Sequence, residues 1–145
     1  MRLRHRVRTS ATAGQVWSVL GDPVRWPEFD VFLHRVRGAS GMAATGQHLL
    51  GVGRGLGLPL PVDVVEAAPE RRLVLRVHAA PGVVEEVSFE ITPLVRGGCD
   101  LAVSVVVEGL FARPAALPLW LARGLTSRLL ARRVETIARA ARRAA

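Results

Sequence analysis

The chain has no lysine, no asparagine and no tyrosine, and only one cysteine. A lone cysteine excludes an internal disulfide and fits a reducing cytoplasm. Nothing around Cys99 marks it as a nucleophile, so it reads as a small core hydrophobe. With lysine missing, all 20 basic residues are arginine, a bias that matches GC-rich coding. Aromatic residues are scarce, three Trp and four Phe. That is little with which to stack bases, so nucleic acid is not an expected partner. Long apolar runs are also missing. The longest, Ala115 to Ala122, contains Pro118 and is too short to span a bilayer. No secretory signal is expected, because Arg2, Arg4, Arg6 and Arg8 interrupt the start and no apolar segment follows.

What remains is one domain, residues 1–145. A chain this long buries roughly 68–70% of its unfolded surface and needs no metal to fold. Half its residues are hydrophobic and the mean hydropathy is +0.27. A large aliphatic core explains that excess, and so does an apolar pocket. The net charge of +8 favours anionic surfaces.

Periodicity orders the elements. Arg2 to Thr9 alternates, with four arginines on one face and Leu3, His5 and Val7 on the other, which predicts a half-buried strand. Ser10 or Thr12 can cap a short helix whose apolar face is Val16, Trp17, Val19 and Leu20. Gly21-Asp22-Pro23 stops it, and Val24 to Phe29 reads as a second short helix. Further strands are expected at Val31–Arg37, Gln47–Val52, Val62–Ala67, Arg72–His78, Val83–Thr92 and Cys99–Glu108. Short, regularly spaced strands predict an antiparallel sheet. From Arg113 the period becomes helical for about 30 residues, far beyond the usual ~11–12. Leu117, Leu121, Leu125, Leu130, Val134, Ile137 and Ala141 are its expected apolar stripe. That stripe must be buried, and the sheet is the available partner.

Four segments carry a family likeness. They are Ser10-Ala11-Thr12-Ala13-Gly14-Gln15-Val16-Trp17, Asp22-Pro23-Val24-Arg25-Trp26-Pro27-Glu28-Phe29, Val65 to Leu73 with its Pro69-Glu70-Arg71-Arg72-Leu73, and Phe89-Glu90-Ile91-Thr92-Pro93. In this order they resemble the START/Bet v1-like helix-grip superfamily, in its polyketide cyclase/dehydrase-like branch. The resemblance covers nearly the whole chain. It implies an α+β helix-grip fold: a curved antiparallel sheet of about seven strands around a long C-terminal helix, with two short helices after the first strand. It also implies a cavity between sheet and helix, in a superfamily of lipid carriers, hormone binders and cyclases.

Strand parity gives the expected interior. Residues expected to meet a ligand are Val7, Trp26, Phe29, Phe32, Leu50, Leu75, Val87, Phe89, Val103, Val105, Trp120 and Leu121. The set is aliphatic and aromatic, which suits an apolar small molecule such as a lipid or polyketide-like compound. His5 and Glu85 are the two ionisable residues with inward parity, and as a pair they can act as general acid and base. Outward rotation of Glu85 by a bulge, with a purely structural His5, is the alternative.

Other motifs carry less. His48, His78 and the scattered acids lack metal-ligand spacing, so no metal is expected. Ser18, Ser88, Ser104 and Ser127 lack a nucleophile elbow. Gly51 to Gly57 is glycine-rich but is followed by Pro59 and Pro61 instead of a helix, so no nucleotide cofactor is expected. Gly53 to Pro61 reads either as a mobile flap over the cavity or as a plain hairpin loop. The basic last helix offers transient contact with anionic membranes. Three functions follow: a binding module for an apolar molecule, a cyclase/aromatase or dehydratase using His5 and Glu85, and a protein-interaction domain with a filled cavity. Oligomeric state is left open by the sequence.

Overall fold

A computed structural model describes residues 2–145. Seven antiparallel strands form one sheet: β1 (Arg2–Thr9), β2 (Leu33–Arg37), β3 (His48–Gly53), β4 (Pro59–Ala68), β5 (Arg72–Ala80), β6 (Val83–Pro93) and β7 (Cys99–Glu108). Their order is β1-β7-β6-β5-β4-β3-β2, so β2 to β7 form a meander and β1 crosses to the far edge. Between β1 and β2 lie helix α1 (Ala13–Leu20) and a short 3-10 helix (Pro23–Glu28). Helix α2 (Ala112–Ala144) packs on β1, β7 and β6 within the curve of the sheet.

Local chemistry explains the elements. Thr12 caps α1 and exchanges bonds with Gln15 in a capping box, which decides between the two expected caps. Asp22 caps the 3-10 helix, and Pro23 and Pro27 favour its tight turns. β2 starts at Leu33 and not at Val31, because the Asp30 carboxylate accepts from the Phe32 and Leu33 amides and holds a turn there. β4 starts at Pro59, three residues earlier than its pattern indicated. The register slips between Val64 and Glu66 and between His78 and Ala80, and such bulges bend strands.

Helix α2 departs from the expected stripe. Its buried residues are Ala116, Leu119, Arg123, Thr126, Ser127, Leu130, Val134 and Ala138, while Leu117, Leu121 and Leu125 are exposed. The reason is helical phase. Leu125 and Leu130 are five residues apart, about 140° beyond a full turn, so Leu117, Leu121 and Leu125 stand on the side of the helix opposite the face that Leu130 occupies. Pro118 lies inside the helix, where its missing N–H frees the Pro114 carbonyl.

Candidate functional site

The inner face of β3 to β6, the start of α2 and the segment from Trp26 to Leu33 enclose a cavity of about 390 Å³. Small-molecule sites occupy roughly 300–1,000 Å³. Most of the wall is apolar: Leu20, Trp26, Phe29, Leu73, Leu75, Val87 and Phe89 all line it. The Trp26 indole N–H donates to the Leu20 carbonyl at 2.7 Å, which fixes the 3-10 helix against α1 and turns Phe29 to the wall. The Gly53–Pro61 segment is the β3–β4 hairpin, and its Leu58 and Leu60 reach the lining. Arg54 ties this hairpin to the 3-10 helix by donating to the Pro27 carbonyl at 2.8 Å.

One part of the wall is charged. Arg123 of α2 is buried and joins two buried carboxylates from different elements. Its Nε donates to both Glu85 oxygens at 3.1 and 3.2 Å, and its Nη2 to Glu85 Oε1 at 2.6 Å. Its Nη1 donates to Asp30 Oδ2 at 2.5 Å. Asp30 Oδ1 accepts from the Phe32 and Leu33 amides at 2.8 and 3.3 Å. The Phe32 ring lies 5.7 Å from the guanidinium carbon, a cation–π contact. Burial by itself would lower the Arg123 pKa, but attraction from Asp30 and Glu85 outweighs it and holds the pKa above its ordinary value.

His5 and Glu85 do not meet. Both belong to the inner face, but His5 is opposite Val103, which is opposite Phe89, four residues along β6 from Glu85. Strand spacing and rise separate them by about 16 Å. Instead, His5 stacks on Trp120, ring centroids 5.1 Å apart, and its Nε2–H donates to the Trp120 carbonyl at 3.0 Å. Gly124 makes room for it, since a Cβ there would stand 2.8 Å from the imidazole Cε1. Glu85 faces inward as its parity indicated, but its partner is Arg123.

The structure divides the expected ligand contacts. Trp26, Phe29, Phe32, Leu75, Val87 and Phe89 line the cavity. Val103 and Val105 belong to the same sheet face but are packed shut on β7, beneath α2. Val7 packs against the core from β1, and Trp120 is taken by His5. Leu50 and Leu121 are exposed, the latter because of the helical phase described above. Asp30 and Arg123 are site residues that strand parity and the leucine stripe do not indicate. The signal for Arg123 was its spacing: Leu119, Arg123, Thr126 and Leu130 follow one helical face, and Arg123 is the charged residue among them.

Polar groups elsewhere have local roles. His48 Nδ1 and His78 Nε2 lie 2.6 and 3.4 Å from Asp63, and the His48 hydrogen bond leads the lowering of the Asp63 pKa. Cys99 is buried, and burial raises its thiol pKa. Among the described residues, no group of three or more His, Cys, Asp or Glu is placed to hold a metal ion, and no helix is long and apolar enough to cross a membrane.

Known structures share this architecture. Protein MLL2253 from Mesorhizobium loti is 18% identical, with a TM-score of 0.74 over 91% of this chain and 95% of its own. A START superfamily protein from Mycobacterium smegmatis is 18% identical, with a TM-score of 0.62 over 88% and 96%. DynU16, from the dynemicin biosynthetic locus, is 24% identical, with a TM-score of 0.68 over 93% of this chain and 47% of its own. No curated protein matches the sequence. The family model described as polyketide cyclase/dehydrase and lipid transport matches residues 1–145, and the chain belongs to that family.

Proposed function

We propose that the protein holds one apolar small molecule, lipid-like or polyketide-like, in the cavity between sheet and α2. The observation that carries this reading is the cavity itself, about 390 Å³ of space with mainly aliphatic and aromatic walls. An apolar molecule entering it leaves water and gains contacts with Leu75, Val87 and Phe89. A protein-interaction domain with a filled core would leave that space unexplained. Ring closure or dehydration by His5 and Glu85 has lost its supporting geometry, because His5 is outside the lining and Glu85 is bound to Arg123.

The test is fluorescence titration with neutral N-phenyl-1-naphthylamine. Saturable one-to-one binding is expected for the natural chain. Val87→Phe puts a ring into the cavity and is expected to weaken that binding at least tenfold while the protein remains folded. No binding, or equal binding by the filled variant, would refute the proposal.

A further inference from the structure

The charged part of the wall sets terms for what can lie against it. Asp30, Glu85 and Arg123 all line the cavity, and two carboxylates share one guanidinium, which leaves one net negative formal charge. The other charged residue of the lining is Arg54, which is exposed and bonded to the Pro27 carbonyl. Its charge faces water and is screened there. Among the described residues of the lining, no further cation inside neutralises the excess carboxylate.

A guanidinium has five N–H donors. On Arg123, Nε–H serves both Glu85 oxygens, one Nη2–H serves Glu85 and one Nη1–H serves Asp30. That leaves one N–H on each terminal nitrogen without a carboxylate partner, on a side chain that lines the cavity. A carbonyl or hydroxyl oxygen can accept from it without bringing charge. A carboxylate would give up its hydration and meet a cluster that already has more anions than cations.

We propose that the cavity selects a neutral ligand, seating its carbonyl or hydroxyl oxygen against Arg123 beside Asp30 and Glu85, and rejects carboxylates of the same shape. This rests on the cavity being the ligand site. It narrows the ligand class to ketones, alcohols, phenols and esters, and excludes free acids whose carboxylate would be enclosed.

Two probes of one shape test it: 2-acetylnaphthalene and 2-naphthoate, titrated calorimetrically at neutral pH. The ketone is expected to bind at least tenfold more tightly. Glu85→Gln removes the excess negative charge and is expected to narrow that gap at least threefold. Asp30→Asn is the second variant and should act in the same direction if Glu85→Gln does not fold. Equal or tighter binding of naphthoate overturns the inference, as does a gap unchanged in the folded variants. Failure of the ketone to bind while N-phenyl-1-naphthylamine binds also overturns it and leaves the cavity as the ligand site. Failure of all three probes overturns the underlying reading instead.

Discussion

Arg123 and Glu85 meet across the helix–sheet boundary in three N–H···O contacts of 2.6–3.2 Å, with 4% and 0% of their residue surface exposed. The same guanidinium binds Asp30, so one side chain ties together α2, β6 and the turn before β2. Among the described residues Glu85 takes its hydrogen bonds from Arg123 alone, whereas Asp30 also accepts from two backbone amides. The dependence of Glu85 on Arg123 makes the cluster sensitive to single changes and tolerant of concerted ones.

Arg123→Met strands two buried carboxylates, and loss of one partner of a buried pair costs about 3–5 kcal/mol. Urea unfolding of that variant should show a loss of this size. In the double variant Arg123→Met/Glu85→Leu, at least half of the loss should return, because Asp30 keeps its two backbone donors. Equal instability of the single and double variants would show that Glu85 and Arg123 are not coupled.

His5→Ala removes a stacked ring and a hydrogen bond to the Trp120 carbonyl. Those contacts together are worth about 1–3 kcal/mol of stability. Since His5 is outside the cavity lining, the affinity for N-phenyl-1-naphthylamine should stay within about twofold. A loss of affinity without a loss of stability would return His5 to the site.

Glu135 gives the chain an acid-sensitive fastening. Its carboxylate accepts from the Ser10 hydroxyl at 2.7 Å, from the Ser10 amide, and from the Thr9 hydroxyl at 2.8 Å. The Ser10 hydrogen bonds, more than any other cause, hold its pKa below the ordinary 4.5. In the unfolded chain the carboxyl takes up its proton first. The stability from these bonds is therefore complete above about pH 4.5 and drains as pH falls through the lower folded value. Urea titrations should show Glu135→Gln less stable than the natural chain at neutral pH, with the difference shrinking as the pH falls below about 4.5. A constant difference would separate Glu135 from the acid response.

Where the sequence spoke in periods, it was legible. The alternation from Val83 to Thr92 placed Glu85, Val87 and Phe89 on the inner face, and the Asp-Pro-x-x-Trp-Pro run placed Trp26 and Phe29 beside them. Parity tells which face a side chain joins but not which part of that face a helix will cover. Parity therefore points Val103 and His5 towards a cavity that ends before it reaches them. Arg123 escaped notice for another reason. Among 20 arginines, charge argues for solvent, and the leucines suggest a different helix phase. Its partners come from Asp30 and Glu85, far away in the chain, and no local pattern announces such a meeting.

The position of β1 has a consequence for how the chain is made. Thr9 lies opposite Cys99 and Arg2 opposite Val106, so this strand waits for a partner synthesised roughly 90 to 100 residues later. At ribosomal speeds of about 5–20 residues per second, that wait lasts roughly 5–20 s. Throughout it, the β1 segment has no pairing partner, and Arg2, Arg4, Arg6 and Arg8 along the face that ends up polar oppose its association with other nascent chains. Such non-local closure slows folding, and the arginines that look like surface decoration in the finished molecule keep the first strand solitary until its partner exists.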